Sequence, residues 1–250
     1  YSESMNTVLY QESIRYNKLL DIIKKSLKDL QLALAGKIAI SDTLEKMSKS
    51  IFVNQVPLIW SDIFLSLKPL SSWIVDLNQR IKFFKDWSIA GKTPDVLWFS
   101  GFSFPQAFLT ATAQNFARKE KIAIDLLKFR FEILDTITYK DIKAKPEHGV
   151  YVYGMFLEGA RWNYDKHILD DSLPKKLYDE LPLIHIIPTV EKVLNKPVYP
   201  CPLYKVLSRA GTLLTTGHST NYVLSVDLPI DREEGEWVKA GVALFLALKQ

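Results

Sequence analysis

The chain has 250 residues, of which 48% are hydrophobic and 24% charged, a size at which one core can still serve but two subdomains are the better reading. Thirty-two basic residues against 28 acidic leave a net charge of +4, which reads as ordinary solubility and not as the basic footprint of a nucleic-acid binder. Cys201 is the only cysteine, so an internal disulfide is excluded and a reducing compartment is favoured.

Residues 1–10 lack the charged, apolar and small-residue order of a signal peptide. The run 242–248 is apolar but far short of the about 20 residues a membrane span requires. The expectation is a polypeptide away from the membrane, carrying no address of its own.

From Met5, the apolar positions Leu9, Tyr16, Leu20, Ile23, Leu27, Leu30 and Leu34 recur at helical spacing and predict one long helix stopped by Gly36. Heptads do not continue beyond it, so the stripe suits the inner face of a helical layer better than a coiled-coil seam. Asp42 with Glu45 predicts a capping box and a shorter helix to about Asn54, closed by Pro57. Pro69 suits the first turn of the next helix, where Leu70, Trp73, Leu77, Ile81 and Phe84 share one face, with Asp76, Arg80 and Lys82 off it. That aromatic stripe reads as core, because a base-stacking platform would interleave exposed cations on the same face. After a break at 91–94, Leu97, Trp98 and Phe99 form a short buried run. Ser103 with Gln106 predicts a second capping box, opening a helix to about Lys119.

At Phe129 the period drops to two, and Phe129, Phe131 and Ile133 alternate with Arg130 and Glu132 as in a strand with one wet face. Residues 150–157 are apolar on both faces and read as one internal strand. Residues 183–187, with His185 as a satisfied core histidine, and 198–204, 222–228 and 237–248 supply further strands. Asp170, Asp171, Asp179 and Glu180 read as a solvated strand connection, since they lack the alternating ligands of a calcium loop. The expected class is α+β: a helical subdomain over 1–121, then a mainly antiparallel β subdomain over 122–250 forming a small barrel.

The most informative stretch is 199–228, a polar, threonine-rich loop between two strands. Gly211 and Gly217 admit backbone angles closed to other residues, and Thr212, Thr215, Thr216, Ser219 and Thr220 offer hydroxyls to a turning backbone. A phosphate loop GxxxxGK[ST] fails here: five residues separate the two glycines, His218 stands where lysine is needed, and a strand-like run follows. The nucleophile elbow GxSxG is matched at four of five positions by Gly217-His218-Ser219-Thr220-Asn221, but no histidine follows Ser219 to complete a triad. One cysteine and four scattered histidines make no zinc site. No catalytic residue, cofactor or metal is expected.

These residues resemble the C-terminal region of dynein heavy chains, which follows the sixth AAA+ module of the motor ring. The resemblance is carried by Cys201-Pro202-Leu203-Tyr204-Lys205, Arg209-Ala210-Gly211-Thr212-Leu213 and Thr215-Thr216-Gly217-His218-Ser219-Thr220-Asn221. It continues in Gln106-Ala107-Phe108-Leu109-Thr110, Glu158-Gly159-Ala160-Arg161-Trp162 and the closing Gly241-Val242-Ala243-Leu244, and it covers essentially all 250 residues. The TTGHSTN segment is similar to the axonemal branch. Val206, Leu207 and Leu214 depart from the usual pattern. The resemblance implies a non-catalytic domain in the cytoskeletal fraction of the cytoplasm, in the ciliary or flagellar axoneme. It would pack on AAA+ modules of the same heavy chain, meet microtubules and other dynein subunits indirectly, and bind neither nucleic acid nor membrane. Tyr204, Lys205, Arg209, Gly211, Thr212, Thr215, Thr216, Gly217, His218, Ser219 and Asn221 would form a structural or interaction loop. A serine esterase using Ser219 and a stand-alone tubulin or nucleic-acid binding module are the rival readings.

Overall fold

The structure, a computed structural model, describes residues 4–64, 66–136, 138–191, 196–212, 217 and 219–248. Backbone proximity divides the described residues into two units, 9–91, and 4–8 with 92–248.

The first unit is helical, built from α1 (Ser4–Leu34, mostly within it), α2 (Asp42–Phe52), α3 (Leu58–Ser61) and α4 (Leu70–Ala90). At the end of α1, Gly36 N–H donates to the Ala33 carbonyl oxygen (3.0 Å) and Lys37 N–H to that of Leu32 (2.9 Å), which satisfies the last turn. The buried line of this helix is turned from the expected one: Glu12, Tyr16, Leu19, Ser26 and Leu30 are buried, while Leu27 and Leu34 are exposed. Hydrogen bonding turns Ser26 inward, because the Trp60 indole N–H donates to its Oγ at 3.0 Å. Ser41, one residue before the expected cap, begins α2 by accepting from Leu44 N–H (3.3 Å). Asp42 and Glu45 therefore lie in the first turn, where the helix dipole favours them.

The aromatic stripe of α4 is core. Trp60 stacks on Trp73 at 5.9 Å, and Tyr16 lies 5.9 Å from Phe64 and 5.5 Å from Phe84. Asp76 and Arg80, expected off this face, are buried on it, with Arg80 Nε donating to Asp76 Oδ2 at 2.8 Å. The guanidinium stays charged there because it meets a carboxylate on the preceding turn and the Phe64 ring, 5.0 Å below it. Burial pushes the Tyr16 phenol up, against the pull of the Arg80 charge.

The second unit combines α5 (Pro105–Glu120) with eleven strands among the described residues. Four form one sheet in the order β1 (Val96–Trp98), β3 (Val150–Tyr153), β8 (Leu183–Thr189), β2 (Lys128–Leu134). Five form another: β10 (Tyr222–Pro229), β9 (Val198–Tyr204), β11 (Ala243–Phe245), β4 (Phe156–Glu158), β7 (Tyr178–Glu180). β5 (Ala160–Asn163) and β6 (Ile168–Asp171) make a hairpin. The α+β class is as expected, and pairing is antiparallel except for β1 with β3 and β11 with β9. No closed barrel is found among the described residues; the strands form open, mixed sheets.

Gly154 explains much of that difference. The run 150–157 is two strands, β3 and β4, in different sheets. Gly154 stands between them at φ +89°, where a Cβ would lie 2.7 Å from Ser100 Oγ and from the Trp98 indole. The backbone thus turns out of one sheet and into the other at a point that only glycine fits.

Three further expectations change. Phe104, not Ser103, caps α5 and Pro105 opens it; the Gln106 amide is used far along the sequence, donating to the Tyr222 carbonyl oxygen at 3.1 Å. Trp237 belongs to a short helix, α6 (Glu234–Lys239), and only Ala243–Phe245 of the closing segment is a strand. The acidic group is not a solvated connection. Asp170 and Asp171 end β6 and pair with Arg161 (2.7 Å) and Arg232 (2.9 Å) respectively, while Asp179 lies on β7 against Lys176 and the Trp162 N–H. His185 is satisfied as expected, its Nε2 2.7 Å from the His148 carbonyl oxygen. No helix among the described residues is long and apolar enough to cross a membrane.

Candidate interaction loop

Residues 205–221 join β9 to β10. The base of the loop continues the ladder, with Lys205 N–H donating to the Asn221 carbonyl oxygen at 2.8 Å beyond the last pair, Tyr204 with Tyr222. Those two rings meet edge to face at 6.0 Å. Tyr204 is held from the other side as well: its carbonyl oxygen accepts Leu246 N–H at 3.0 Å, and its ring stacks on Phe245 at 6.0 Å. The Lys205 ammonium lies 5.1 Å over the Phe104 ring.

Arg209 is the anchor. Its guanidinium donates to Glu158 Oε2 (2.5 Å) and to the Gly241 carbonyl oxygen (2.8 Å), and lies 5.4 Å over the Phe245 ring. Three of the stretches that carry the resemblance therefore meet at one residue. Arg209 was legible as a loop residue, but Glu158, Gly241 and Phe245 were not, since nothing local in sequence brings them together.

Ser219 and Asn221 close the loop from its far arm. Ser219 Oγ donates to the Arg209 carbonyl oxygen (2.7 Å) and accepts Asn221 N–H (3.3 Å). The Asn221 amide donates to the carbonyl oxygens of Ser208 and Ala210, both at 2.9 Å. Thr212 takes part through its backbone, its carbonyl oxygen accepting Thr220 N–H at 3.0 Å. Gly211 serves space and not backbone angle, because a Cβ there would lie 2.6 Å from Thr220 Oγ1. Gly217 does take a positive φ of +80°, with nothing among the described residues within 4 Å of where its Cβ would stand. Thr215, Thr216 and His218 lie outside the described residues.

The Ser219 hydroxyl donates to a carbonyl oxygen, as a side chain that closes a turn does. His167 Nδ1 faces Asp135 at 2.6 Å, in another part of the unit. Beneath the loop, Cys201 is buried on β9 and burial pushes its thiol up, away from the thiolate that reactivity needs. Tyr199, also buried, donates from its hydroxyl to the Val242 carbonyl oxygen at 2.7 Å. Among the described residues no group of three or more His, Cys, Asp or Glu could hold a metal ion.

A family model described as the C-terminal domain of the dynein heavy chain matches residues 1–246. Dynein axonemal heavy chain 1 of Rattus norvegicus is 52% identical over 250 residues, covering 99% of this chain and 6% of that protein. Dynein axonemal heavy chain 12 of Mus musculus is 46% identical over 99% of this chain and 8% of its own length. For dynein axonemal heavy chain 3 of Homo sapiens the identity is 46%, over 97% of this chain and 6% of that protein. The protein described here thus spans only a small part of the curated relatives it matches. With the family model matching nearly every residue, it belongs to the family of C-terminal domains of dynein heavy chains, and these relatives are axonemal heavy chains.

Proposed function

We propose that this protein is the non-catalytic C-terminal domain of an axonemal dynein motor, packing on the AAA+ modules of its own heavy chain and modulating movement along microtubules. The observation that carries this reading is the family match over residues 1–246, with axonemal relatives at about half identity. The loop supports it: the side chains of Arg209, Ser219 and Asn221 are directed at its own backbone and at its neighbours, the chemistry of a fixed surface. Its place is the ciliary or flagellar axoneme, and it meets microtubules and other dynein subunits through the rest of the motor.

A domain without chemistry of its own needs no nucleotide. Titration calorimetry of the 250-residue protein with ATP or ADP is expected to give no binding heat. A dissociation constant at or below about 10 μM, roughly 7 kcal/mol of binding, would contradict the proposal.

A further inference from the structure

Phe52, the last residue of α2, is 91% exposed, and Val53 and Leu58 after it are 57% and 71% exposed. The turn that carries them is pinned. Val53 N–H donates to the Lys49 carbonyl oxygen (3.2 Å), and Gln55 N–H to that of Ser50 (2.8 Å). Asn54 accepts Leu70 N–H on its carbonyl oxygen (2.9 Å) and Ser71 N–H on its side-chain oxygen (3.0 Å). An apolar side chain that faces water from a rigid turn loses little freedom on docking, which is the property of an interface anchor.

Leu58 also lines a groove of about 340 Å³, floored by Met47, Pro57 and Ile59. Lys46 and Lys49 are the only charged residues on its wall among the described residues. They reach back one turn to Asp42 (3.6 Å) and Glu45 (2.6 Å), but every side chain in these pairs is at least half exposed. Pairs that exposed are screened and weak, so the lysines can take another carboxylate at small cost.

We propose that this groove receives a segment of the same heavy chain that presents an apolar face flanked by acidic side chains, with Phe52 as the anchor beside it. The inference rests on the reading of this protein as one domain of a longer motor. A separate protein needs about 800 Å² per side for a stable complex, whereas one phenyl buries about 150–250 Å². A tethered segment docks at an effective concentration in the millimolar range, where a small patch suffices. The relatives supply the tether, since the matched region is only 6% of the length of dynein axonemal heavy chain 1 of Rattus norvegicus.

The test uses the full-length heavy chain with Phe52→benzoylphenylalanine, a photo-cross-linker at a site too exposed to disturb the fold. Irradiation is expected to give an intramolecular link that mass spectrometry maps to an acidic, amphipathic segment preceding residue 1. Lys46→Gln together with Lys49→Gln should lower the yield of that link about fivefold. Links only to other polypeptides, no link, or a yield indifferent to the two lysines would overturn the proposal. The outcome is separable from that of the regulatory reading. A missing link in a motor whose motility depends on this domain rejects the groove alone, whereas a mapped link in a motor indifferent to the domain's removal leaves the groove standing and rejects the regulation.

Discussion

Arg209 and Ser219 show how the loop divides its work between side chain and backbone. The Arg209–Glu158 pair is partly open to water, with side-chain exposures of 39% and 37%, so screening leaves it about 0–1 kcal/mol. The same guanidinium also satisfies the Gly241 carbonyl oxygen and covers the Phe245 ring. Urea melts should therefore show Glu158→Gln costing under about 1 kcal/mol and Arg209→Ala costing about 1–3. Equal costs would mean that the ion pair, and not the carbonyl anchor, holds the loop. In the same melts Ser219→Ala should cost about 0.5–1.5 kcal/mol and Gly217→Val about 1–3, the latter purely from backbone strain. Ser219 and Asn221 were legible as turn residues because their short polar side chains act on nearby backbone. The partners of Arg209 were not, because they arrive from β4, from the turn after α6 and from β11.

The β5–β6 hairpin carries its stability in a small polar cluster at the level of the element. Asp170 accepts from the Asn163 amide (2.8 Å) and from Arg161 (2.7 Å) across the strand pair. The Asn163 hydrogen bond, the Asp171 backbone N–H and then the Arg161 charge hold its carboxyl below the usual range. A lowered folded pKa stabilises above the unfolded value, about 3.9, and that contribution is lost as pH falls through the folded value. The hairpin should therefore loosen below about pH 4. Asn163→Ala should raise the Asp170 pKa in a carboxyl NMR titration and make the loss of thermal stability with falling pH shallower. An unchanged titration would show that Asn163 is not the main stabiliser. Element types with long periodic stretches were legible, as in α1 and α4. What failed was the use of single polar residues: Asp76 and Arg80 are buried because they satisfy each other, and Gln106 is drawn away from a capping box by a carbonyl far along the sequence. The short strands β5, β6 and β7 were missed because each is only three or four residues long and is held by ion pairs more than by an alternating pattern of its own.

For the whole molecule, the family was legible because its motifs recur from end to end of the sequence, whereas the sheet arrangement was not, because it turns on one glycine. The units also decide where the molecule should be cut. Ending a heavy chain at residue 121 would separate α5 from the strands that share its unit, while ending it after Gly91 follows the division except for residues 4–8 at the start of α1. A domain acting only by favouring some ring conformations over others supplies a coupling of about 1–3 kcal/mol, a five- to 150-fold shift in an equilibrium. The most direct measurement compares a full-length heavy chain with one ending after Gly91, both shown by electron microscopy to form intact rings. The shortened motor is expected still to hydrolyse ATP and bind microtubules, while its gliding velocity, stall force or run length changes. Loss of ATP hydrolysis in an intact ring, or motility unchanged in all three respects, would contradict a purely modulating role.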